Sequence, residues 1–228
     1  MANLDFTMHK IFILGYSESF ISLLLETLKV NGIVKDIVIV KNTEVKEQYP
    51  FRPAVTSVEI INSAQWRHVT SSDRFVFGVG SPSVKRKVFE SFRESHGITK
   101  ENFLSVRHPF NVTASSALIG KGCYCEPSVI LSPFSSIGFG VTINRGVTIG
   151  HHTVIKDFAT IYPGTHIAGH CVIEEGVHIG MGTSVFNNVK IGAGSVIGGG
   201  STVTEDIPGG VTAWGSPCKI IKSADHAG

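Results

Sequence analysis

The sequence predicts an α/β, Rossmann-like N-terminal domain over residues 1–110, an all-β parallel β-helix over residues 111–222 and a short tail at 223–228. Three observations carry that reading. The first is a six-residue beat: stepping by six from Ile119 to Val203 meets only apolar residues, among them Ile149, Ile155, Ile161, Ile167, Ile173 and Ile179. With 42% hydrophobic residues overall, chance gives such a run roughly once in 10⁶ trials, so the period is structural. The second is a companion column four residues after each beat, running from Cys123 to Ile207. Every member is small or β-branched, as at Thr153, Ala159, Thr165, Cys171 and Thr183. The third is a change of composition before about residue 100, where helix formers, charge and aromatics replace the Gly, Ile and Val of the repeat.

Each hexad supplies a short strand and a turn, and three hexads close one triangular coil of about 18 residues. Coils stack at the ~4.8 Å strand spacing, so residues 18 apart are expected one above the other. The aliphatics fill the prism and the small residues fit its corners. Gly120, Gly138, Asn144, Gly150, Gly180, Gly192 and Gly198 follow the aliphatics, where turns are expected to need permissive backbone.

In the N-terminal part, residues 9–15 read as a buried strand ending at Gly15. Ser17 is placed to cap a helix running to about Asn31, with Phe20, Leu23, Leu24, Leu25 and Leu28 on its apolar side. Residues 37–40 form a second strand and 75–79 a third, followed by Gly80 and a helix over about 83–95. Such β-α-β alternation predicts a small parallel sheet whose ligand site lies at the strands' carboxyl ends, near Gly15, Lys41 and Gly80. The loop from Gly15 to Phe20 has one glycine where a phosphate cradle wants three, and Glu18 brings a carboxylate to the place an anion would occupy. Lys85, Arg86 and Lys87 read first as a solvated helix face and second as an anion contact.

A net charge of +2 with 17% charged residues and no polybasic run does not suit nucleic acid. No signal-peptide pattern or long apolar segment is present, so a cytoplasmic protein without membrane contact is expected. Of the four cysteines, Cys123 and Cys171 fall on the small column and Cys125 on the inward one, which makes them core thiols.

Coil arithmetic singles out His151, the third residue of its hexad, which projects outward from a turn. Gly169 stands one coil on and Asn187 two coils on. A base beside a glycine amide suits acyl transfer: the imidazole takes a proton, worth about 10²–10⁴ in rate, and the amide meets the oxyanion, worth about 3 kcal/mol. His152 and His170 are also 18 apart and should stack. With His151 they form a patch of three imidazoles, so a metal site is weighed, against the tendency of adjacent turn residues to diverge and the lack of an evident carboxylate partner. No metal is expected. His166 and His178 end their hexads and are read as surface decoration.

From about Lys10 to Ile221 the chain resembles the hexapeptide-repeat acetyltransferases of bacterial sugars and nucleotide-linked sugars, including the bacillosamine-pathway and perosamine N-acetyltransferases and the sialic-acid O-acetyltransferase-like proteins. The motifs are His108-Pro109, the run from Ile149 to Asp157, Ala168-Gly169, the run from Val203 to Val211, and residues 215–219. The resemblance implies a left-handed parallel β-helix and a homotrimer with acetyl-CoA in the groove between neighbouring helices. It makes His151 the general base and gives the Gly169 amide to the acetyl carbonyl. It further implies that Met181, Gly182 and Gly199 line the pantetheine and that Pro217 and Lys219 lie near the adenine and phosphate. For the sugar or nucleotide-sugar it implies Gly15, Ser17, Lys41, Asn42, Gly80 and Asn144. Two residues depart from the family pattern. His152 stands where the family carries Asp or Glu, so a weaker base or another orienting group is expected. The loop from Gly15 to Phe20 and the Lys41-Asn42 pair replace the family's nucleotide contacts. The expected activity is N-acetylation of a nucleotide-linked amino sugar. Sugar O-acetylation, a metal-dependent hydratase and a non-catalytic trimeric scaffold are the alternatives.

Overall fold

A computed structural model describes residues 10–33, 36–41, 58–66 and 73–222. Asn42 and the tail at 223–228 lie outside the described residues. The chain divides into two compact units, with the boundary at Val106/Arg107 and residues Ser81–Ser83 grouped with the second unit.

The first unit is a parallel four-stranded sheet of order β3-β2-β1-β4, with β1 at Ile11–Leu14, β2 at Ile37–Lys41, β3 at Val58–Asn62 and β4 at Arg74–Phe77. β1 is central, and Leu14 pairs with both Val40 and Phe77. This brings Gly15, Lys41 and Gly78 to the carboxyl edge. β1 is buried throughout and β2 is buried up to Val40, which is why both read as unbroken apolar runs. Helix α1, Glu18–Val30, buries Ile21, Leu24, Leu25, Thr27 and Leu28. Leu23 belongs to the other side and is 44% exposed, because the stripe i, i+3, i+4, i+7 starts at Ile21. Ser17 sits at the N-cap without a side-chain cap bond; its backbone N–H donates to Gly78 O at 2.9 Å. Helix α2 spans Pro82–His96. Within it Lys85 is 1% exposed and Arg86 is half-buried, so the expected solvated basic face holds only for Lys87.

The second unit is a parallel β-helix of two-residue strands stacked into three sheets. Its register is 18 residues in pair after pair, as in Ile137↔Ile155, Ile143↔Ile161 and Ile149↔Ile167. The aliphatic column from Cys125 to Val203 is buried, and each fully buried aliphatic contributes about 1.5–3 kcal/mol. The buried threonines of the small column hydrogen-bond forward to the next coil: Thr153 Oγ1 donates to Ala168 O at 2.7 Å, Thr165 Oγ1 to Gly180 O at 3.1 Å and Thr183 Oγ1 to Gly198 O at 3.2 Å. They pin the corners as well as fill them. The register shortens at the end, where Ile191 bridges Ile207 and Asp206 Oδ1 accepts the Lys190 N–H at 2.7 Å. The helix also starts earlier than the beat suggests, with strands at Val106–Arg107 and Val112–Thr113.

The glycines after the aliphatics are not the left-handed residues. The left-handed position is three residues past each aliphatic, as at Gly146 (φ 70°), Gly164 (φ 68°) and Gly182 (φ 67°). Gly150 is required for another reason: a Cβ there would lie 2.4 Å from the Ala168 carbonyl carbon. These glycines let one coil settle onto the next, which is a demand of close approach and not of φ.

Candidate active site on one edge of the prism

Each prism edge is a stack of turns joined by a backbone ladder. On the first edge His152 N donates to Pro133 O, His170 N to His151 O and Asn188 N to Gly169 O, at 3.1, 2.9 and 3.1 Å. The left-handed residues of this edge are Phe134, His152, His170 and Asn188, with φ between 59° and 63°. On the other two edges glycine takes most of these positions. A side chain in this region costs about 1–2 kcal/mol per residue, and strain of this kind concentrates where function needs the side chain.

These side chains form one stack. Phe134 packs on His152 with centroids 4.9 Å apart, and His152 lies nearly parallel to His170, at 4.9 Å and 12°. The predicted stacking of His152 on His170 is therefore present. His151 stands perpendicular to both, at 86°, and its Nδ1 lies 3.1 Å from His152 Nδ1. The three histidines do not diverge: one ligating nitrogen from each falls within 4.8 Å of the others. All three are exposed.

His151 also lies against Gly169, as coil counting placed it. A Cβ on Gly169 would come within 2.8 Å of His151 Cε1 and Nε2, so only glycine leaves room for the imidazole. The Ala168–Gly169 peptide is held from below by Gly150, whose missing side chain admits it, and by Thr153 Oγ1 at the Ala168 carbonyl. One expectation needs amending. The Gly169 N–H is not open, since it donates to Asn187 Oδ1 at 2.9 Å. Asn187 stands one coil on, where the 18-residue register sets its side chain against that amide. A backbone N–H can only donate, so Asn187 presents its oxygen inward and its NH₂ outward.

The contact between the two Nδ1 atoms constrains the protons. If His151 Nδ1–H donates to His152, His151 Nε2 holds a lone pair and is a competent base. If His152 donates to His151, Nε2 carries the proton and is not. Among the described residues no carboxylate is hydrogen-bonded to His151, so His152 takes the orienting position.

The other predicted residues lie elsewhere. Met181, Gly182 and Gly199 share the next edge of the same prism, where Gly182 N donates to Pro163 O and Gly200 N to Met181 O. Met181 is 62% exposed. Asn144 lies by that edge, two coils nearer the N-terminus, with its N–H on Ile161 O. Pro217 follows a cis peptide bond, and Lys219 opens a strand running antiparallel to Thr212–Trp214. Within one chain these residues are not gathered around His151. In the first unit Gly15 takes φ 83°, Gly80 lies against the Phe20 ring and Lys41 Nζ sits 4.0 Å over the Tyr16 ring. Ser17, Gly15 and Lys41 do share the carboxyl edge. His166 Nδ1 meets Thr148 Oγ1 at 2.9 Å and His178 stacks on Tyr162 at 4.6 Å. Two contributors went unpredicted as site residues, Phe134 and the Asn187 side chain. An 18-residue step back from His152 and forward from Gly169 reaches both.

The family signature described as bacterial transferase hexapeptide (six repeats) matches residues 152–187. No curated protein sequence matches the chain. Among solved structures, a point mutant of perosamine N-acetyltransferase from Caulobacter crescentus, in complex with CoA and GDP-perosamine, superposes with a TM-score of 0.76 at 24% identity, covering 95% of this chain and 98% of that one. The acetyltransferase domain of PglB from Neisseria gonorrhoeae, in complex with acetyl coenzyme A, gives 0.76 at 22% identity over 93% and 98%. WeeI from Acinetobacter baumannii AYE gives 0.77 at 20% identity over 94% and 100%. Among the described residues no helix is long and apolar enough to cross a membrane. Residues 152–187 carry the hexapeptide repeat, and the chain has the fold of these transferase structures, a left-handed parallel β-helix preceded in sequence by a small α/β unit.

Proposed function

We propose that the protein is an acetyl-CoA-dependent N-acetyltransferase acting on the amino group of a nucleotide-linked sugar. The observation that carries this is the imidazole of His151 lying against the Cα of Gly169 on an outward edge, in a fold shared with enzymes solved with acetyl-CoA, CoA and a nucleotide sugar.

The chemistry follows from the site. The thioester carbonyl takes the Gly169 N–H in place of Asn187 Oδ1, and the exposed Asn187 side chain turns to solvent. The neutral sugar amine attacks that carbonyl, and the developing negative charge on oxygen meets the Gly169 amide. His151 Nε2 removes the proton from the attacking nitrogen, with its Nδ1–H donated to His152. The intermediate collapses, the C–S bond breaks, and the His151 imidazolium returns its proton to the departing CoA sulfur. His152 orients this base but adds no negative charge to hold the imidazolium, so the design suits an amine, which needs less activation than a hydroxyl.

Met181, Gly182 and Gly199 stand on a different edge from His151, so a complete site asks for edges from two prisms. A homotrimer supplies that, with one protomer's His151 edge facing its neighbour's Met181 edge across the acetyl-CoA groove. Release of CoA thiol from acetyl-CoA, measured against a panel of amino and hydroxyl sugars with and without a nucleoside diphosphate, tests the proposal. Turnover with an amino sugar that is lost in His151→Ala is expected. Turnover only with hydroxyl sugars would reassign the protein to O-acetylation, and none with any acceptor would overturn the reading.

A further inference from the structure

We propose that His151, His152 and His170 form a binding site for a divalent transition-metal ion of the Zn²⁺ class, and that an ion there switches acetyl transfer off. The binding claim stands on the geometry of the edge; only its consequence rests on the proposed function.

Three imidazoles present a ligating nitrogen each, all within 4.8 Å of one another. Nitrogen ligands of zinc lie at about 2.0–2.1 Å, which puts them a little over 3 Å apart around a tetrahedral ion. The Nδ1 atoms of His151 and His152 are already at 3.1 Å. His151 stands at 86° to the other two rings, so it and either partner can point lone pairs at a common point. His152 and His170 lie nearly parallel, one above the other, and cannot both aim in-plane lone pairs at one ion as they stand. Rotation of the exposed His170 ring closes the set at the expense of its stack. The donor set is imidazole alone, which suits Zn²⁺, Ni²⁺ and Cu²⁺ and not Mg²⁺ or Ca²⁺. No Lys, Arg, Asp or Glu is hydrogen-bonded to any of the three among the described residues; their neighbours across the edge are Phe134 and each other.

The backbone gives an independent argument. His152 and His170 hold left-handed φ values of 59° and 60°, as Phe134 and Asn188 do on the same edge, at a position that glycine takes in most coils on the other two edges. Two strained histidines on consecutive coils cost stability that glycine would spare. Catalysis as proposed uses His151 and His152 but gives His170 no task, whereas a metal site needs all three. An ion bound here takes a lone pair from His151, so the base is silenced while the ion stays.

The test uses the full chain, prepared without an affinity tag and stripped with a chelator. Zn²⁺ is titrated calorimetrically, and Co²⁺ is titrated by its visible absorption. One ion per chain with tetrahedral Co²⁺ bands is expected. His170→Ala should weaken Zn²⁺ binding by about tenfold or more, keep acetyl transfer, and lose the zinc inhibition that wild type shows at the concentrations where it binds. His170→Gly, which relieves the strained φ, guards against a folding defect in the alanine variant. Equal Zn²⁺ affinity in wild type and both variants, or no tetrahedral Co²⁺ spectrum, overturns the site. Zinc binding that depends on His170 in a protein without any acetyl transfer sustains the site and rejects the proposed function instead.

Discussion

Gly169→Ala isolates the contact on which the proposed chemistry depends. The backbone at Gly169 is outside the left-handed region, so alanine adopts it without strain. The nearest atoms to the new methyl are Cε1 and Nε2 of His151 at 2.8 Å and Nδ1 at 3.1 Å. Ordinary van der Waals contact between such atoms needs about 3.5–4.0 Å, so the imidazole must withdraw by roughly 1 Å. Because His151 is exposed, it can move without disturbing the core, and the melting temperature should change little. Displacing a reacting group by about 1 Å costs about 10²-fold, or about 2.7 kcal/mol of transition-state stabilisation. The assay is kcat/KM for CoA release alongside a thermal melt of the same sample. A stable variant with about a hundredfold lower kcat/KM is expected. A stable variant within about threefold of wild type would show that His151 does not act from its position against Gly169, and the catalytic assignment would fall with it.

Other outcomes are open to measurement. His151→Ala should lose about 10²–10⁴ in kcat with little change in KM for acetyl-CoA, seen in steady-state kinetics. His152→Ala should cost only about tenfold in kcat, well below the base itself, since it orients the imidazole without carrying the proton; an effect equal to that of His151→Ala would contradict that role. Thr153→Val removes both the donor to Ala168 O and the acceptor for the Cys171 N–H, and leaving those groups unpaired should cost about 1–3 kcal/mol in denaturant unfolding. Glu174 is held below its usual value first by a hydrogen bond from Lys156, which outweighs the opposing effect of burial, and then by one from Lys190. Its stabilisation is therefore present above the unfolded carboxylate pKa and lost as pH falls through the lowered folded value. Because both lysines are about half exposed, Glu174→Gln should cost less than about 1 kcal/mol at neutral pH, and unfolding curves of variant and wild type should converge in acid.

How far the sequence reached is clearest residue by residue. Ile149, Ile155 and Ile161 announced the helix because an inward position repeats in every coil and tolerates only apolar side chains. The beat failed at Thr113 and Arg107, six and twelve residues before Ile119, so the strands at Val106–Arg107 and Val112–Thr113 were not legible. β3 was missed for a related reason: at Val58–Asn62 it is largely exposed, and a strand without a buried face carries no strong alternation. Leu23 was misplaced because a leucine run reads alike on either side of a helix until the partner sheet selects Ile21, Leu24 and Leu28.

Period and register were in the sequence, because an 18-residue coil has one way to stack and each residue's neighbour is then a matter of counting. That counting put His151 beside Gly169 and His152 beneath His170. What counting could not supply was the direction of a side chain once it left the turn. The tertiary structure alone turned Asn187 onto the Gly169 amide, drew His151 back toward His152 and stacked Phe134 beneath it. Those choices depend on side-chain torsions and on which hydrogen-bonding groups the neighbouring coils leave unpaired, and neither is written in a repeat.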